Sequence, residues 1–373
     1  MSETAFGSLH EPREIEAGDK TRQKNRLFYI HERHRSCYCQ WAYSRPNVRH
    51  YDLSSSDPYS SSNLNRRNWL IVSSTVLLIV ISSAFSAFVS YHGRTTTVNS
   101  NSTPQSLYEP GVLFNETRAL EFYQKLVVNS SGLLQTFPGS HVIYLADDQA
   151  LDCYALQQIF NSTGNSLASS EARGIISSMT SWGGLYNYWN PVFVTVGDYS
   201  ESWVWSNGVD RQISSIASDG ENYTIMATVF SPNPNFDYYN YSDQEFYYSL
   251  WSLHAGNYTS AENAFRAANN YWKGYGFADR AFSTSNGIYT SYKLALDLIV
   301  WKSLESNLNT ANFATRYVPE MKNVTSIMSV LQGADGGVLT NYAVSRGVVV
   351  ANASISLENG ETTSLFTLAS NLK

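Results

Sequence analysis

Residues Trp69–Tyr91, WLIVSSTVLLIVISSAFSAFVSY, form an uncharged run of 23 residues. A helix needs about 20 apolar residues to cross a bilayer core, so this run is long enough to span one. Arg66 and Arg67 abut its front end with no acidic residue beside them. The positive-inside rule then places the N-terminus in the cytoplasm and everything after Tyr91 outside the cell. Trp69 and Tyr91 stand at the two ends, where amphipathic rings favour the headgroup layer. A signal peptide fits less well, because 68 residues precede the run and an h-region is shorter.

A second pattern agrees with that orientation. Glycosylation sequons begin at Asn101, Asn115, Asn129, Asn161, Asn222, Asn240, Asn257, Asn323 and Asn352, all after the apolar run. Such sites mark surface on the non-cytoplasmic side. Charge divides at the same boundary. Residues 1–68 carry eleven Lys/Arg against eight Asp/Glu, and the remainder carries fourteen against 23. An acidic outer part excludes nucleic acid and anionic headgroups as natural partners. The lipid bilayer, through 69–91, and a polysaccharide or surface glycan are the expected partners.

The expected organisation is a largely disordered cytoplasmic tail (1–68), a transmembrane helix (69–91), a Ser/Thr/Asn-rich stalk (92–113) and an extracellular domain (114–373). In the tail, His31, His34, Cys37 and Cys39 lie within nine residues, but the spacing fits no common zinc finger, and unstructured tail residues are the favoured reading. Cys153 is the single outer cysteine, so no disulfide can form within the domain. Its stability must come from a packed core.

Periodicity predicts eight helices in that domain: 117–128, 147–160, 170–179, 244–255, 258–272, 289–303, 320–331 and 361–369. Some are apolar on several faces (147–160, 289–303). Others carry one stripe, such as Ala172, Ile175, Ile176 and Met179. An inner and an outer helical layer require that alternation. Residues 190–236 break the rhythm, and VFVTVG, SWVWSNG and YTIMATVF predict a small β insertion turning at Asn207-Gly208. The segment at 117–128 and the last helix are expected to pair and close a ring of about four hairpins. The fold class expected is therefore mainly α, a toroid of repeated helical hairpins with a small β insertion.

Two motifs carry a resemblance. Ser329–Gly337, SVLQGADGG, resembles the Gln-x-x-Asp-Gly-Gly turn of the α/α-toroid folds. Glu361–Ala369, ETTSLFTLA, is similar to the Thr-x-x-Ala-Leu-x-x-Leu helix opening of the same class. That class includes terpenoid cyclases, protein prenyltransferases and six-hairpin glycosidases. The cyclase aspartate-rich motif and the prenyltransferase zinc set are absent from the sequence. The resemblance therefore implies an extracellular glycosidase, which works with carboxylates alone, with no cofactor and no metal.

In toroid glycosidases the groove lies where loops lead into inner helices. Carboxylates occupy such positions here: Asp147 and Asp148, Asp243 and Glu245, Glu358 and Glu361. Glycoside hydrolysis needs one carboxyl to protonate the leaving oxygen and another to activate water or attack carbon. If the ring closes, Asp148 and Glu361 face each other across a groove, and Glu361 is assigned as acid and Asp148 as base, an order the sequence itself does not fix, with Asp147 and Glu358 as further candidates. Each of these residues could instead cap a helix. Asp152 and Asp297 sit inside apolar helices and read as structural, Lys293 being placed to pair with Asp297. Trp182, Tyr186, Tyr188, Trp189 and Trp205 are candidate sugar platforms, or else loop anchors. A polysaccharide lyase is the second enzymatic reading, and a non-catalytic surface glycoprotein that binds glycan or another protein is the alternative function.

Overall fold

The computed structural model describes residues 96–97, 114–182, 190–199, 201–283, 285, 287–352 and 356–372. The expected tail and membrane span, and the tail residues His31, His34, Cys37 and Cys39, lie outside the described residues. Among the described residues, no helix is long and apolar enough to cross a membrane. About half of the described chain is helical.

Eight longer helices stand at the eight expected positions. They are α1 (Glu116–Leu126), α2 (Asp147–Thr163), α3 (Ser166–Ser181), α4 (Ser242–His254), α5 (Tyr258–Asn269), α6 (Tyr292–Ser306), α7 (Val318–Met328) and α8 (Gly360–Asn371). Their starts follow a simple chemistry. Asn115, Asn165, Asn257 and Asn359 precede α1, α3, α5 and α8, and each accepts a backbone N–H from the first turn through its side-chain oxygen. Replacing Asn359 by alanine should cost about 1 kcal/mol, read as a lowered Tm, because the α8 N–H groups are buried and have no water to turn to.

The two helix types divide by burial. In α2, α6 and α8 apolar residues are buried around most of the helix, whereas α3 and α5 bury single stripes. Accordingly α8 packs against both α2 and α6, and α6 packs against α4. The striped helices cover them, α3 on α2, α5 on α4 and α7 on α6. Each buried large apolar side chain contributes about 1.5–3 kcal/mol to that packing. The predicted pairing of the first and last helices is present. Tyr123 and Ser364 share a buried hydrogen bond of 2.7 Å, and Asn371 donates to Glu116.

The glycine-rich turn at 332–337 ties the ends together. The Gln332 amide donates to the carbonyls of Asn115 and Gly336, and its oxygen accepts the Asn115 N–H at 2.9 Å. Gly336 sits at φ +100°, and a Cβ there would strike the Arg118 carbonyl. Gly336→Ala should therefore destabilise by about 3 kcal/mol or more, measured by thermal or urea unfolding, since both backbone angle and space forbid the methyl group.

The β insertion is present in altered form. Strands β2 (Val142–Leu145), β3 (Ser206–Ser218) and β4 (Glu221–Pro232) form a sheet ordered β2-β4-β3, with β2 parallel to β4. A smaller sheet joins β1 (Thr96–Thr97), β5 (Ile288–Thr290), β6 (Asn341–Ser345) and β7 (Val348–Ala351) in the order β1-β7-β6-β5. Two residues of the expected stalk thus form an edge strand.

Three expectations are corrected. Asn207-Gly208 is not the hairpin turn but lies inside β3, opposite Ser231 and Phe230. The turn is Asp219-Gly220, both at positive φ (54° and 84°), and it allows twelve paired positions. VFVTVG is not a strand: Pro191–Val196 is a 3-10 helix, started by proline with Asn190 as cap and stopped by Gly197 at φ 85°. Nearly all its side chains are buried, so alternation carried no information there. Finally, Lys293 pairs with Asp279 and not with Asp297.

Candidate functional site

The first turns of the inner helices bring the carboxylates together. Asp147 and Asp148 open α2, Asp243 opens α4, Lys293 opens α6 and Glu361 opens α8. Asp148 feels the charges of Glu361, Asp152 and Asp147, while Glu361 feels those of Asp147, Asp152 and Asp243. Residues more than 200 positions apart in sequence thus face one another. The helix N-termini aim their partial positive charge at the same region, which favours anions there.

None of these carboxylates is the N-cap of its helix. Asparagine caps α8, and α2 begins after Ala146 with no side-chain cap at all. The capping explanation therefore does not account for Asp148 or Glu361. Nor is the cluster internally neutralised. Lys293 is engaged by Asp279, which also accepts from the backbone and hydroxyl of Ser242 at 2.9 and 2.8 Å. Those donors hold the Asp279 carboxyl below its ordinary range despite burial. Asp147 Oδ1, Asp148 Oδ2 and Asp243 Oδ1 are buried and have no hydrogen-bond partner among the described residues. A buried, unpartnered carboxyl oxygen is costly unless the group is protonated or awaits a ligand.

Burial decides the protonation. It pushes Asp147 up to about 7, against the opposing help of the Thr228 hydroxyl. Burial and then the charge of Glu361 raise Asp148 well above the usual carboxylate range. Glu361 itself rises to about 7, first through burial and then through Asp147. Asp148 and Glu361 thus raise each other's proton affinity on top of what burial does.

Backbone strain sits beside the same residues. Ala146 adopts φ 69°, ψ −54°, while the other non-glycine residues at positive φ among the described residues, Asp219 and Arg346, lie at hairpin ends. Strand β2 ends at Leu145, and this one residue turns the chain directly into α2. The strain costs of order 1–3 kcal/mol and is held by a fully buried side chain.

Glu358 lies apart from this group. Its carboxyl hydrogen-bonds that of Asp335 beside the 332–337 turn, and burial with the Asp335 charge lifts it to about 9. Asp152 is fully buried and accepts from the Ser364 hydroxyl at 2.6 Å, so it ties α2 to α8, as its position inside an apolar helix suggested.

Of the aromatic candidates, Tyr186, Tyr188 and Trp189 lie outside the described residues. Trp182 is half-buried at the end of α3. Trp205 stacks on Tyr238 with centroids 3.5 Å apart and packs edge-on against Trp203, while Tyr248 and Trp251 of α4 complete the group. One face of Trp205 is therefore already covered, as expected of a loop anchor.

Asp210 and Thr228 did not stand out in the sequence. They are directly opposed on β3 and β4, so their side chains share a face of the sheet, and Thr228 reaches Asp147. Only knowledge of the strand register would have revealed them.

No family model and no curated protein matches the chain. Among solved structures, the GH76A alpha-1,6-mannanase from Salegentibacter sp. HEL1_6 is matched at 9% identity with a TM-score of 0.23. That match covers 63% of this chain and 57% of the mannanase chain.

Proposed function

We propose that the protein is a membrane-anchored extracellular glycoside hydrolase, built on a toroid of helical hairpins and acting on a polysaccharide. The observation that carries this reading is the convergence of Asp147, Asp148 and Glu361 at one end of the inner helices, with Asp147 Oδ1 and Asp148 Oδ2 buried and without partners among the described residues. We assign Asp148 as the general acid, because burial and the charges of Glu361, Asp152 and Asp147 all favour its protonated form. Asp147 is the partner carboxylate. Its Oδ2 is held by Thr228, and its Oδ1 is left to attack carbon or to take a proton from water. Glu361 supports the acid by raising its proton affinity.

The anchor is the 69–91 run, with residues 114–373 outside the cell. Of the eight sequon asparagines among the described residues, Asn115, Asn129, Asn161, Asn222, Asn257 and Asn323 are exposed, and Asn240 and Asn352 are half-buried. Asn115 and Asn257 cap helices through oxygen, which leaves the amide nitrogen to carry a glycan. The alternative binding reading depends on exposed aromatic faces, and the stacking of Trp205 on Tyr238 weighs against it.

The pH profile of Glu361→Gln tests the roles. The acid works while protonated, so activity falls as pH rises through the Asp148 pKa. Removing the Glu361 charge lowers that pKa, and the alkaline limb of kcat should move to lower pH by about one unit. An unmoved limb would take Glu361 out of the site.

A further inference from the structure

We propose that Thr228 and Asp210, supplied by the β3–β4 hairpin, are positioning residues that clamp the Asp147 carboxyl through the Thr228 hydroxyl and one carboxylic proton that Asp147 and Asp210 hold between them. This rests on the hydrolase reading for its role in turnover, but the clamp itself does not. The Thr228 hydroxyl oxygen lies 2.6 Å from Asp147 Oδ2 and 2.8 Å from Asp210 Oδ1. A hydroxyl has one hydrogen and can donate to only one of them. The other contact closes only if a carboxylic proton is donated to the hydroxyl oxygen. The two carboxyls therefore hold one proton between them and carry one negative charge, not two. Tyr144 adds a donor, its hydroxyl reaching Asp210 Oδ2 at 3.3 Å.

The local fold makes this arrangement. Asp210 and Thr228 are cross-strand neighbours. Strand β2 runs parallel to β4, with Leu145 opposite Ala227, so the residues just past its end arrive beside Thr228. The strained Ala146 then delivers Asp147 to the hydroxyl. With the proton on Asp210, Thr228 donates to Asp147, whose carboxylate is fixed at Oδ2 while Oδ1 stays unpartnered among the described residues. That is the form a nucleophile or base requires. With the proton on Asp147, Thr228 donates to Asp210 and Asp147 is idle. No heavy atom moves between the two.

The other groups facing Asp147 are acidic or phenolic. They are Asp148 on its own helix, Tyr144 on β2, Glu361 on α8, and Tyr247 on α4. Asn190 lies near enough to lower the Asp147 pKa slightly, against burial. No cation is among these groups, so an ionised Asp210 holds the Asp147 proton on, and a proton on Asp210 removes that opposing charge.

The test uses the full chain in detergent. The Asp147 carboxyl is followed by 13C NMR against pH and identified by its absence in Asp147→Asn. Asp210→Asn removes the second charge and keeps a donor to Thr228. The Asp147 titration should then move down by about one pH unit, with no substrate present. On a cleaved polysaccharide, Thr228→Val should lower kcat about 10- to 100-fold with KM within about two-fold, and Thr228→Ser should restore most of it. An unmoved Asp147 titration in Asp210→Asn overturns the proposal, as does a serine variant as impaired as the valine one. If the wild type cleaves nothing, the hydrolase reading fails while the titration still decides the clamp.

Discussion

Asp148→Asn should release reducing ends about a thousand-fold more slowly than the wild type, with the folded state intact. General acid catalysis contributes about 10²- to 10⁴-fold, and the amide has no proton to give at the leaving oxygen. The effect on stability should be small or favourable. Asp148 is buried, 6% exposed, and its Oδ2 has no partner among the described residues. The amide avoids charging a buried group beside Glu361, Asp152 and Asp147. Loss of activity with equal or higher Tm is the signature of a residue kept for chemistry at a cost to the fold. A leaving group that needs no protonation, such as a dinitrophenolate, should recover much of the lost rate. A carboxylate that merely braces the helix would lose Tm and gain nothing from such a substrate.

The second large effect is on stability. Thermal unfolding of the wild type should show its highest Tm near pH 5 and fall by about 10 °C or more by pH 8. Asp147, Asp152 and Glu361 are each raised to about 7, and Asp148 is raised as well, by burial and then by the Glu361 charge. A carboxyl whose folded pKa exceeds its unfolded value binds protons more tightly when folded. Its contribution is complete below the unfolded value near 4 and is lost as pH rises through the folded value. A loss of a few kcal/mol corresponds to about 10 °C for a domain of this size. Asp279 works in the opposite sense: lowered by Lys293, it contributes above pH 4 and is lost only in strong acid. Asp335 is lowered too, but Glu171, Glu245, Glu320 and Glu358 are raised by burial like the four above, so the decline toward alkaline pH is dominant. Asp148→Asn and Glu361→Gln should each flatten it. A Tm flat from pH 5 to 8 would mean that the four carboxyls ionise without strain, and the account of the acid would go with it.

How much of this was legible in the chain depended on period and contact range. The eight helices were readable because 3.6-residue stripes survive in α3 and α5, and because runs such as 147–160 and 292–303 are too apolar for a surface helix. Asp147, Asp148, Asp243 and Glu361 were legible as a group because each starts a buried helix. Their meeting needed only that α8 return to α2. The protonation order was not legible, since it depends on burial and on which carboxyl neighbours which. Pro191–Val196 failed because a fully buried segment has no polar face to show a period. Asp210 and Thr228 were invisible because their pairing depends on a register fixed by the Asp219-Gly220 turn, which competes in sequence with Asn207-Gly208. Lys293 was assigned to Asp297 by helical spacing, yet Asp279, from the loop before α6, reaches it instead.

The most direct test is reducing-end release by the folded full chain across a broad polysaccharide panel between pH 5 and 8, run beside Asp148→Asn. The account predicts release from at least one polysaccharide and its disappearance in the variant. No release on any polysaccharide from protein shown to be folded, or equal release by the variant, would contradict it.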